Sequence, residues 1–334
     1  MNQTEYQFSA EELEKSLPEF ASKGITELVL HDPLLTSDKG RLLHFMQAVS
    51  KKAPELCVTV PVQASVLDMD VCRAAADIFC SFDISFSGIS KNSPQGPLFL
   101  FDKKLFARKA AMLNDAGLVF GFDMDYALVP GDSLKLFRDR LDFALSLYPN
   151  HIDFMQLEVQ SANAARPTGT FSSQDIRFAR DTAFACKTFY TAGRAVPWFL
   201  FVLSPLKIQS AQFLADFAEW QRCDNCGPGS GFDPDTVSHT DVEKMQLVFL
   251  GMKYEEKHKE SLFQVVKDIV RLNGAFSRLT GEGTECELDL SYNPEDLLSP
   301  EAFKLSSFTE NVLMEPCHVK IFEGSDGPDY RILN

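Results

Sequence analysis

The stretch Gly117–Gln160, GLVFGFDMDYALVPGDSLKLFRDRLDFALSLYPNHIDFMQLEVQ, constrains this chain most. An apolar run, Leu118–Phe122, ends in acids at Asp123 and Asp125, and the turn Pro130-Gly131-Asp132 follows. Leu134, Phe137, Leu141, Ala144 and Leu145 then recur at helical spacing. Tyr148-Pro149-Asn150 stops that helix, and Ile152–Val159 reads as a second apolar strand ending near Glu158 and Gln160. This is a β-α-β unit of the kind that builds parallel sheets. Polar groups just past the carboxyl ends of such strands are where ligands are met.

The same alternation is expected upstream. Ser9 to Glu12 forms a capping box opening a helix that Gly24 ends. Strands are expected at Ile25–Leu30, Leu56–Val62 and Phe82–Phe86, with helices over Arg41–Val49, Leu67–Ile78 and Phe101–Asn114 between and after them. Lys91–Gly96 reads as a polar loop. Downstream, Ile176–Tyr190 and Ile208–Trp220 read as helices on either side of an apolar strand, Val196–Val202. Alternation at about 30 residues per unit calls for a parallel sheet covered by helices.

Composition shifts at Arg222–His239, RCDNCGPGSGFDPDTVSH, the most loop-like segment. Beyond it come helices over Val242–Glu256 and Ser261–Phe276, strands at Glu285–Leu290 and His318–Phe322, and a polar tail, GSDGPDY. The expected fold is α/β: a partial or near-complete TIM-type (βα) barrel over 1–220, with a linker loop and small C-terminal α/β extension over 221–334. With 45% hydrophobic residues and 29 Phe in 334 residues, a sizeable core is assured.

The net charge of −15 argues against a nucleic-acid partner, whose phosphates need a basic footprint. No run of 18 uncharged apolar residues occurs, so no membrane span is expected. The polar, acidic start, MNQTEYQFSAEELEKSL, lacks a signal-peptide core, and a cytoplasmic location is the expectation.

Several segments resemble the radical S-adenosylmethionine (radical SAM) barrel, and most of all its B12-associated branch. Ile25–Thr36 (ITELVLHDPLLT) resembles that family's second strand, and Phe82–Ser87 its fourth. Lys109–Gly117 resembles a helix ending in Ala-Gly, and Phe122–Asp132 resembles the family's D..YGLPGD segment. Asp153–Gln160 is similar to its sixth strand, and Ser161–Thr170 stands where the family has a PGT loop. The resemblance implies a barrel whose mouth meets S-adenosylmethionine, with His31 and Asp32 in the region that binds the cofactor's methionine part.

One departure bears on function. The family holds a four-iron cluster on a Cys-x3-Cys-x2-Cys loop ahead of its first helix. Here seven residues precede Phe8, no cysteine precedes Cys57, and no Cys-x3-Cys occurs. The first strand and its cluster loop are therefore expected to be missing from this chain. Iron–sulfur clusters need thiolates held close together. Of the eight cysteines only Cys223 and Cys226 are closely spaced, too few for a tetrahedral site without further ligands. No metal and no cofactor is assigned, and residual S-adenosylmethionine binding stays open.

The candidate ligand-binding residues at the barrel mouth are His31, Asp32, Ser85, Ser87, Asp123, Asp125, Glu158 and Gln160. Asp123 and Asp125 are two apart and would share a strand face, as would Glu158 and Gln160. Two readings of function follow. In the first, the chain is a cluster-less, radical-SAM-like pseudoenzyme, a binding or partner subunit for an active radical SAM relative, a peptide or a small molecule. In the second it is an enzyme: either the cluster-bearing segment lies on another chain or is missing here, or the mouth acids do non-radical acid–base work.

Overall fold

In the computed structural model of the chain, residues 9–32, 37–157, 165–325 and 327–333 are described. The chain divides into two compact units, Met1–Asp125 and Tyr126–Asn334.

The first unit runs, in chain order, α1 (Ala10–Ser22), β1 (Glu27–Val29), α2 (Lys39–Lys52), β2 (Cys57–Val62), α3 (Met69–Ala76), β3 (Cys80–Phe86), β4 (Ile89–Ser93), β5 (Gly96–Leu100), α4 (Lys103–Asp115) and β6 (Val119–Met124). The Ser9–Glu12 capping box forms as expected, with Glu12 N to Ser9 Oγ at 3.3 Å and Ser9 N to Glu12 Oε2 at 2.9 Å. β1, β2, β3 and β6 lie side by side and parallel. Their order never reverses, which is the winding of a partial (βα) barrel and not of a doubly wound sheet.

Period-two patterning sets the two faces of this sheet. Val60, Phe82 and Phe120 form one row, Val62, Ile84 and Phe122 the next, all buried. Helices α2, α3 and α4 bury Leu42, Phe45, Val49, Val71, Ala75, Phe106 and Leu113 in the same unit. Phe86 packs at a tilt 4.2 Å from Phe122 and 4.5 Å from Phe106, centroid to centroid. Each such ring contributes about 1.5–3 kcal/mol on burial. The opposite face carries small and polar side chains in register: Thr59 with Ser81, Pro61 with Asp83, and Ser85 with Asp123.

Lys91–Gly96 is not a plain loop. It belongs to an antiparallel hairpin, β4 with β5, in which Ile89 pairs with Leu100 and Lys91 with Leu98. Phe99 is buried, its ring lying where a Cβ on Gly88 would sit, 2.2 Å away.

In the second unit α5 (Leu134–Leu145) is followed by β7 (His151–Phe154), shorter than the expected Ile152–Val159. The chain turns into a 3-10 helix at Met155–Leu157, and Gln156 Nε2 donates to Tyr126 O at 3.1 Å. Next come α6 (Ser173–Cys186), a π-helix at Lys187–Ala192, α7 (Phe199–Leu203), α8 (Ser210–Cys223), α9 (His239–Glu256) and α10 (Phe263–Glu282). The expected strand at Val196–Val202 is therefore corrected to a turn and α7. Phe199, Val202 and Leu203 are buried at helical spacing, and Pro197 has no N–H to give a central strand. A short apolar run does not by itself separate a strand from a buried helix. The regular β-α alternation thus stops at β7, and a helical stretch replaces the later repeats of a near-complete barrel.

Rings from both sides of the Arg222–His239 loop pack together, Phe213 and Phe217 each 5.1 Å from Phe249. The unit closes with β8 (Cys286–Leu290), α11 (Pro294–Leu297), α12 (Leu305–Asn311), β9 (Cys317–Gly324) and β10 (Gly327–Leu333) in a sheet of order β10-β9-β8. The polar tail is thus a strand, paired from Gly327 opposite Gly324 to Leu333 opposite His318. It lacked an apolar signal because it is an edge strand whose side chains are half-buried or exposed.

Candidate functional site

Parallel winding puts the carboxyl ends of β1, β3 and β6 on one edge of the first unit. His31 and Asp32 follow β1, Ser87 follows β3, and Asp125 follows β6. His31 is exposed and Asp32 half-buried. β2 stands between β1 and β3, so two strand spacings of about 4.8 Å separate their ends. Ser85 is the register partner of Asp123.

Ser87 Oγ donates to the buried Asp125 carboxylate. Asp123, on the strand, is half-buried, whereas Asp125 lies just past the strand end and is buried. The two acids occupy different surroundings, and Asp125 serves first as the acceptor that ties the end of β6 to the end of β3. Glu158 and Gln160 lie outside the described residues.

The loop after Asp125 holds a second polar knot, in the second unit. Asp132, read from sequence as a turn residue, is buried with Arg140, whose Nη2 donates to its Oδ2 at 2.8 Å. Its carboxylate also accepts from Ala127 N at 3.2 Å and Ser133 N at 2.9 Å. Ala127 has φ +56, a left-handed conformation uncommon for a residue with a Cβ, and its N–H bond to Asp132 helps hold it there. The available sequence signal was Arg140 eight residues on, two turns into α5.

Several of the thiols are buried. Burial pushes the Cys80 thiol up to about 12 and raises Cys57, Cys72, Cys186, Cys226 and Cys317 as well. Cys226 is spent on the end of α8: its N–H and Sγ both donate to Gln221 O, at 2.9 and 3.5 Å. Cys223 is exposed on the last turn of that helix. Among the described residues no three His, Cys, Asp or Glu side chains are grouped to hold a metal ion.

The chain is similar to a radical S-adenosylmethionine methyltransferase. That protein is TsrM from Kitasatospora setae, solved with cobalamin and a 4Fe–4S cluster, and again with tryptophan substrate and the SAM analogue aza-SAM. Identity is 14% and the TM-score 0.37 in both cases. The match covers 44% of this chain and 31% or 30% of the methyltransferase, so the chain corresponds to under a third of that protein's length. No family model matches, and no curated protein matches.

Proposed function

We propose that this chain is a binding or partner subunit built on a partial (βα) barrel, with no radical chemistry of its own. The observation that supports this reading is the β4–β5 hairpin at the ligand-facing edge of the first unit. It forms a separate two-stranded sheet among the described residues. A lone two-stranded hairpin is marginal in water. One face of this one carries Ile89, Leu98 and Leu100, exposed by 67%, 51% and 38%. Apolar side chains so displayed, on a ribbon with open edges, suit strand addition by another polypeptide.

The mouth residues support the same reading. Ser87 and Asp125 satisfy each other across adjacent strands, a structural use of side chains that an acid–base enzyme would keep for its substrate. The sequence has no Cys-x3-Cys-x2-Cys run to seat a resident cluster. The partner is another protein chain, and an active radical SAM relative is the partner that the sequence resemblance favours.

A photo-crosslinking residue in place of Leu98, in the native host, tests this. One polypeptide should dominate the adducts, and the purified pair should co-elute at a defined mass by light scattering. Ile89→Asp with Leu100→Asp should abolish both. Adducts confined to the chain's own residues would overturn the proposal.

A further inference from the structure

A cavity of about 390 Å3 lies within the second unit, far in sequence from the strand ends. Three stretches wall it: the π-helix with its exit, the loop leading into α9, and Glu282 at the end of α10. A volume of this size is that of a small-molecule site.

The wall is rigid for identifiable reasons. A π-helix widens the turn and frees backbone carbonyls. Here Gln246 Nε2 donates to Phe189 O at 2.7 Å and to Gly193 O at 3.0 Å. A Cβ on Gly193 would lie 2.0 Å from that nitrogen, so glycine alone permits the approach. Thr191 Oγ1 accepts from Ile152 N at 3.0 Å and donates to Ile152 O at 3.1 Å. Lys187 and Arg194 therefore stand on a fixed support at the two ends of this segment.

His239 lines the cavity without adding charge. It is buried, and its Nδ1 accepts from Arg278 Nη1 at 3.0 Å, which leaves Nε2 to donate to Gly193 O at 3.3 Å. Burial, with the Arg194 charge beside it, lowers its pKa to about 4. His239 and Thr240 are also the first residues of α9, and both line the cavity. A helix leaves the amides of its first turn without intrahelical acceptors. Ser238 Oγ accepts that of Asp241, at 3.2 Å.

The cations are held by acids that an incoming group can replace. Lys187 pairs with Asp235 at 2.6 Å, and Arg194 Nη2 with Glu282 at 2.6 Å, while Arg194 Nη1 stays on Ser277 O at 2.9 Å. In each pair the acid is more exposed than the cation, 63% against 21% and 41% against 32%. Such solvent-facing pairs hold weakly. An oxyanion that also met the helix amides would gain charge-assisted bonds that a side-chain carboxylate on the rim lacks.

We propose that this cavity binds a small molecule through an oxyanion group, a phosphomonoester or a carboxylate, held by Lys187, Arg194 and the first amides of α9. The inference is independent of the hairpin.

Titration calorimetry on the full chain tests it, with glycerol phosphate, glutarate and glycerol as probes. One anionic probe should bind at a single site, and which one does so separates phosphate from carboxylate. Lys187→Met should weaken that probe by about tenfold. Asp235→Asn, which removes the carboxylate competing for Lys187, should strengthen it severalfold. A damaged fold would not produce that gain. Glycerol bound as tightly as the anions, no heat from either anion, or an affinity unmoved by Asp235→Asn would each overturn the proposal.

Discussion

Asp132 and Arg140 should behave as a coupled buried pair that holds the loop following Asp125. The pair spans 2.8 Å with side chains 1% and 2% exposed. Removing one partner of a buried pair costs about 3–5 kcal/mol, because the survivor keeps its desolvation without its countercharge. Asp132→Asn removes the carboxylate that Arg140 Nη2 donates to and should fall in this range. Arg140→Met should cost less, about 2–3 kcal/mol, because the carboxylate keeps the N–H groups of Ala127 and Ser133 and the Met chain fills much of the same space. The double variant should lose about 2–3 kcal/mol as well, giving a coupling of several kcal/mol. Both tryptophans, Trp198 and Trp220, lie in the second unit, so urea unfolding followed by their fluorescence reads the right transition. Faster amide exchange at Ala127 would show the loss locally. A cost below about 1 kcal/mol for Asp132→Asn, or additive single changes, would show that the two side chains are not a coupled buried pair.

Further outcomes follow from other packed groups. His239 has its pKa lowered from 6.5 to about 4. The unfolded chain therefore takes up a proton first, and the contribution falls away as pH drops through that window. At about 1.4 kcal/mol per pH unit the loss approaches about 3 kcal/mol, and the difference between wild type and His239→Asn in stability against pH isolates it. Gly193→Ala should disrupt the π-helix, since the added methyl would lie 2.2 Å from Phe189 O; accelerated amide exchange over 187–194 reads this. His318 is hydrogen-bonded to Asp289 at 2.8 Å and Glu287 at 3.1 Å, which raises its pKa. Its NMR titration should fall toward the ordinary histidine value in Asp289→Asn.

Much of the first unit was legible because its strands alternate strictly. Phe82, Ile84 and Phe86 against Ser81, Asp83 and Ser85 announce one covered face and one open face. The hairpin was missed because β4 is polar and largely exposed, with period two visible only once β5 lies opposite it. The π-helix has no local signature: its carbonyls are claimed by Gln246, more than fifty positions away in chain. Val196–Val202 failed as a strand because its apolar length suits either state, and tertiary burial chose the helix. The strand ends were found, but the partnering of Ser87 with Asp125 needs the register of β3 on β6. The cavity draws on residues from Lys187 to Glu282 whose juxtaposition is purely tertiary.

The central question for this chain is whether its own residues hold an iron–sulfur cluster. Anaerobic reconstitution with iron and sulfide, followed by desalting, metal analysis and visible absorption, tests that most directly. The missing Cys-x3-Cys-x2-Cys run and the engagement of Cys226 with Gln221 predict far less than one cluster per chain and no cluster absorption. A full four-iron complement with strong visible absorption, lost in Cys223→Ser or Cys226→Ser, would contradict it.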